Sequence, residues 1–161
     1  MKMKTKMNVQ RLIGFTFVLT ILSISFFSCK KPQDCGTVNI GMSGGSDSHN
    51  QGQNCMTCHI SGGEGSGCFT VAGTVYNSAL TSTVGSGKVE FFTQANGSGQ
   101  LKYTVQIDSK GNFYTTADMN VAGLFPRVTG PTGTQQSMSS SLSSGKCNSC
   151  HNASAAKIWA D

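Results

Sequence analysis

Charge is sparse in this chain: 12 Lys and Arg and 7 Asp and Glu among 161 residues. Four of the basic residues, Lys2, Lys4, Lys6 and Arg11, precede residue 12. Beyond residue 28 the balance is 8 against 7, or +1, and Lys30-Lys31 is the one basic pair left. The basic character of the whole chain therefore gives no reason to expect a nucleic-acid partner. Long apolar stretches with helical periodicity are missing, which excludes a helix bundle. No acid-base pair, nucleophile or substrate motif stands out either, and Glu90 and Asp108 read as a strand-surface residue and a turn residue. Tryptophan occurs once, at Trp159, and histidine three times, at His49, His59 and His151.

Because histidine is so scarce, its placement is informative. Cys55-Met56-Thr57-Cys58-His59 recurs in pattern as Cys147-Asn148-Ser149-Cys150-His151. With three His in 161 residues, a given Cys pair would be followed by His roughly 2% of the time by chance. Cys-x-x-Cys-His is the spacing of covalent c-type haem attachment. On one helical turn the two thiols reach both vinyl groups as thioethers, and the adjacent His falls beneath the ring as the proximal iron ligand. An all-cysteine zinc ribbon and a thioredoxin-like redox pair use the same Cys spacing but leave both His unexplained. Two covalently attached haems are expected, on Cys55 and Cys58 with His59, and on Cys147 and Cys150 with His151.

Three His cannot fill four axial positions. His49, six residues before Cys55, is the one spare histidine and the candidate distal ligand for one haem. The other must use a methionine, a lysine, a partner subunit's side chain, or nothing. Met138, nine residues before Cys147 in a polar loop, is the first candidate; Met42 is another, and Met119 beside Phe113-Tyr114 reads as core.

The N-terminus bears on location. After the basic start, Leu12 to Phe27 is an uncharged apolar run of sixteen residues, too short for a membrane span and suited to a secretory signal. Phe26-Phe27-Ser28-Cys29 resembles a bacterial lipoprotein lipobox, which implies acylation at Cys29 and export to the outer membrane, on its periplasmic or surface side. Lys30-Lys31 would then meet lipid headgroups. In such an oxidising compartment Cys35 and Cys68, on either side of the first motif, are candidates for a disulfide.

Gly- and Ser-rich stretches at 36–54, 61–67 and 130–146 read as loops around the motifs. Between them the pattern turns to strands at 69–76, 88–93, 101–108 and 112–116. In the third, Leu101, Tyr103, Val105 and Ile107 alternate with polar residues, so the first set should be buried. Ser109-Lys110-Gly111-Asn112 and Asn96-Gly97-Ser98-Gly99 read as tight turns. The Ala-rich segment from Ser149 to Asp161 suggests a terminal helix, with Ile158 and Trp159 packing on the second haem or on the sandwich. The fold expected is mainly β: an antiparallel β-sandwich of five to seven strands, with haem-binding loops and short helices at both sequence ends. By segment this gives a lipoprotein-type signal peptide, 1–28; a linker carrying His49, 29–54; a first haem-binding segment, 55–68; the sandwich, 69–130; and a second haem-binding segment with the terminal helix, 131–161.

Ala72-Gly73-Thr74-Val75-Tyr76, with the later Ile107-Asp108-Ser109-Lys110-Gly111-Asn112-Phe113-Tyr114, resembles the opening strand and hairpin of carboxypeptidase-regulatory-like, transthyretin-like sandwiches over roughly 50 residues. The order His49 to Asn54, first motif, strand block, second motif is similar to small dihaem c-type cytochrome lipoproteins of secreted electron-transfer systems. That resemblance implies electron carriage without naming a partner, and the reading is of single electrons passed between membrane or extracellular redox proteins, with no enzyme motif beside the haems. The alternatives are a peroxidase-like haem enzyme with one open iron, and a structural or filament subunit whose haems link neighbouring chains, so an oligomer or filament stays open.

Overall fold

The computed structural model describes residues 35–161; the signal peptide, the lipobox with Cys29 and the Lys30-Lys31 pair lie outside them. Among the described residues seven strands form two sheets: β1 (Val71–Tyr76), β2 (Lys88–Gln94), β3 (Ser98–Gln106), β4 (Asn112–Thr115), β5 (Phe125–Thr129), β6 (Gln135–Ser137) and β7 (Ile158–Trp159). One sheet has the order β4-β1-β7 and the other β3-β2-β5-β6. The pairings are antiparallel except that of β1 with β7, which is parallel. Val71, Val75 and Phe113 of the first sheet meet Val89, Phe91, Val105 and Val128 of the second, with Ile107 from the connection between β3 and β4. The result is a mainly β, two-sheet sandwich core.

The turns behave as their residues dictate. Gly111 has φ 85°, and Asn96 and Gly97 have φ 59° and 68°, left-handed values that glycine and asparagine tolerate best.

Three expectations need correction. Leu101 is 45% exposed, because the ladder pairs Phe91 with Tyr103 but Phe92 with Leu101 and so skips Lys102. A one-residue bulge moves the side chains beyond it to the other face of the strand. Glu90 is not a surface residue: its side chain is 6% exposed, bonded to Lys88 Nζ at 2.8 Å and Arg127 Nη2 at 2.9 Å. Asp108 is a turn residue as expected but fully buried, with Oδ1 accepting the N–H groups of Lys110 and Asn112. The terminal helix is a single turn, α1 (Cys147–Cys150). His151 is extended and Asn152 has φ 76°. Residues 158–159 then add to the edge of β1. Helix propensity of the alanines is a weak term beside the backbone hydrogen bonds that this edge offers.

Cys35 and Cys68 form a disulfide with Cα atoms 4.8 Å apart. Beyond it, Asn39 and Gly41 hydrogen-bond to Thr116 and Tyr114, so the chain before the first motif runs along β4. No helix among the described residues is long and apolar enough to cross a membrane.

Candidate functional site

The first motif begins as a 3-10 turn, Cys55–Thr57, in which the His59 N–H returns to the Cys55 carbonyl. Cys55, Cys58 and His59 all line one cleft. His59 is buried and its ring stacks on Phe69 at 4.0 Å between centroids, 8° from parallel. Gly65 presses on the ring as well, since a Cβ there would sit 2.7–2.8 Å from three ring atoms. Nδ1 of His59 lies 2.9 Å from the Ser66 carbonyl oxygen. A carbonyl only accepts, so Nδ1 carries the proton and Nε2 keeps its lone pair.

His49 faces this ring. The two imidazole centroids are 6.0 Å apart, with planes inclined by 35°. Both rings, with Cys55 and Cys58, line a cleft of about 100 Å³ that also includes Tyr114 and Asn112.

The second motif forms α1. The His151 N–H returns to the Cys147 carbonyl, and His151 Nδ1 donates to the Ala156 carbonyl. The tautomer is therefore the same as at His59, with Nε2 the free donor. Cys147, Cys150 and His151 line a cavity of about 620 Å³ whose wall includes Met138, Phe113 and Trp159, within the roughly 300–1,000 Å³ typical of cofactor sites. Met138 is placed by its N–H bond to the Pro126 carbonyl, one strand away. Met42, by contrast, is 68% exposed, and Met119 packs against the sandwich core.

All four motif cysteines are free thiols. Cys147 sits against Gly73 of β1, where a Cβ would come 3.0 Å from its own Cβ, and burial pushes its thiol up to about 12. Burial also raises the Cys55 thiol. Among the described residues no three His, Cys, Asp or Glu side chains converge as a metal-ligand cluster. A tetrahedral zinc site needs four such donors in one place, whereas a haem brings four nitrogens of its own and asks the protein for thioethers and axial donors. The donor set thus fits haem at both motifs: Cys55, Cys58, His59 and His49 at the first; Cys147, Cys150 and His151 at the second, with Met138 in the same cavity.

The motifs, 92 positions apart, are neighbours in space. Asn148, a variable position of the second motif, donates to the Gln53 carbonyl at 2.8 Å, and the Cys55 thiol lies 3.6 Å from that same oxygen. Asn148, its partner Thr74 and Thr74's partner Asn112 were not legible as site residues, since a polar side chain inside an apolar strand or between two motif cysteines carries no signature. Searches against protein-family models, curated proteins and solved structures each return no match.

Proposed function

We propose that this protein is an exported dihaem c-type cytochrome that carries single electrons between redox proteins, anchored to the outer membrane through a lipid on Cys29. The observation that carries this reading is the state of the two motif histidines. Each follows a free Cys-x-x-Cys pair on a single turn, and each has Nδ1 tied to a backbone carbonyl. That second bond is the one metal-ligating histidines make, because it selects the tautomer and fixes the ring.

When bound, haem supplies a one-electron redox centre. The chain's own residues then determine how it is used. His49, 6.0 Å from His59 between ring centroids, would supply a second nitrogen donor at the first site and close it to added ligands. Met138 supplies a thioether to the second cavity. The close approach of the two motifs, through Asn148 and the Gln53 carbonyl, would suit passage of an electron from one site to the other. The Cys35–Cys68 disulfide is in keeping with an oxidising compartment.

Optical spectra of the purified holoprotein in both redox states, with and without carbon monoxide, test carriage against catalysis. Two low-spin haems indifferent to carbon monoxide are expected. A high-spin haem that binds it would replace the carrier with a haem enzyme.

A further inference from the structure

A buried polar network joins the two sites, and its bookkeeping is complete. Thr74, at the centre of β1 and fully buried, donates its hydroxyl to Asn112 Oδ1 at 2.7 Å and accepts from the Gly52 N–H at 2.9 Å and Asn148 Nδ2 at 3.0 Å. One donor and two acceptor positions are all that a hydroxyl has. Asn112, 2% exposed, uses both amide hydrogens on the loop before the first motif, one to Ser48 Oγ at 3.0 Å and one to the His49 carbonyl at 3.3 Å. Asn148, 4% exposed, accepts the Thr74 N–H at 3.1 Å and donates to Gln53 as well as to Thr74. Asn152 of the second segment adds a bond to the Gly52 carbonyl at 3.2 Å.

The 48–53 loop is thus held by side chains of β1, β4 and α1. It contains no strand or helix of its own, and it is the loop that presents His49 to His59. Fully satisfied buried networks rigidify what they hold, and the loss of one member strands the others without partners.

We infer that Thr74 and Asn148 are positioning residues for His49, so that a residue of the second haem motif governs axial ligation at the first haem. The inference rests on the reading of His49 as the distal ligand at the first site. Asn148 lies between the two cysteines of the other motif and acts on His49 by two routes, its direct bond to the Gln53 carbonyl of the same loop and the chain Asn148, Thr74, Asn112, His49 carbonyl. Removing the Thr74 hydroxyl cuts that chain at its middle and also frees the Gly52 N–H. Removing the Asn148 amide releases Gln53 and lets the loop shift as a piece.

The test uses full-length holoprotein with both haems attached, compared by low-temperature electron paramagnetic resonance of the oxidised form and by carbon monoxide difference spectra of the reduced form. His49→Ala identifies the first-site signal as the low-spin signal it abolishes. Thr74→Val and Asn148→Ala are each expected to lose part of that same signal and to gain carbon monoxide binding at that haem, leaving the second signal at full intensity. Thr74→Ser, which keeps the hydroxyl, is expected to match the wild type. Should Thr74→Val fail to fold, Asn148→Ala carries the same comparison. A wild-type first-site signal in Asn148→Ala and Thr74→Val, beside its loss in His49→Ala, overturns the inference, as does an Asn148→Ala effect confined to the second signal. Two intact signals in His49→Ala overturn the ligation reading itself.

Discussion

His59 is held by its Nδ1 bond to Ser66, the Phe69 ring against its face and the Gly65 backbone beside it. Gly65→Ala places a methyl group 2.7 Å from ring atoms. Overpacking of this kind costs about 1–3 kcal/mol, and denaturant unfolding of the holoprotein should show that loss together with a perturbed first-site spectrum. Met138→Leu keeps most of the apolar volume in the second cavity and removes only sulfur. It is expected to convert the second haem to a five-coordinate, high-spin form while leaving the first unchanged, as read from optical spectra; an unaltered second haem would leave Met138 as a packing residue. The two Cys-x-x-Cys-His motifs could be picked out from spacing alone, because the pattern is local to five residues. His49 could be found by scarcity. Thr74, Asn112 and Asn148 could not, since their roles exist only once β1, β4 and α1 come together.

The strands that could be read were those with an alternating or β-branched pattern, β1 to β4. Those that could not had physical reasons to be quiet. Pro126 blurs the strand pattern of β5 without breaking the strand, where it lies in register with Phe91 of β2, and it is tolerated because β6 pairs only with Arg127 to Thr129, leaving the missing N–H outside the β6 ladder. β6 is a polar edge, and β7 is two residues long. The Leu101 bulge is likewise invisible in the pattern, because alternation persists on paper while the ladder skips a residue. On β2 and β5, Glu90 ties Lys88 to Arg127, whose guanidinium lies 4.5 Å over the Phe92 ring. Burial alone would raise the Glu90 carboxyl, but the hydrogen bonds and positive charges of Lys88 and Arg127 outweigh it and hold the group below its ordinary value of 4.5. A carboxyl depressed by folding contributes stability that is present above its unfolded value and lost as pH falls through the folded one. Below about pH 4.5 the wild type should therefore lose this contribution. Glu90→Gln should be less stable at pH 7 by about 1–3 kcal/mol and should lack that part of the acid loss, as checked by urea titrations across pH 3 to 7.

The described chain is a small sandwich with two motifs drawn together beside one strand, and a disulfide ties the segment before the first motif to the segment after it. The Cys35–Cys68 bond spans 33 residues and encloses the His49 loop and the whole first motif. Replacing both cysteines by serine should cost about 3–4 kcal/mol by the chain-entropy estimate. The loss should appear as a lower unfolding midpoint in holoprotein that keeps both haems. In the proposed dihaem form each haem would add a further crosslink, its thioethers joining the two cysteines of one turn. Mass spectrometry of the full chain, denatured after expression in a host competent in cytochrome maturation, tests for them most directly. Denaturation strips every non-covalent group, so only thioether-bound haem survives. Two haem additions per chain are expected, falling to one in Cys147→Ala with Cys150→Ala; a bare polypeptide mass, or zinc in the native protein in place of haem, would contradict the dihaem reading outright.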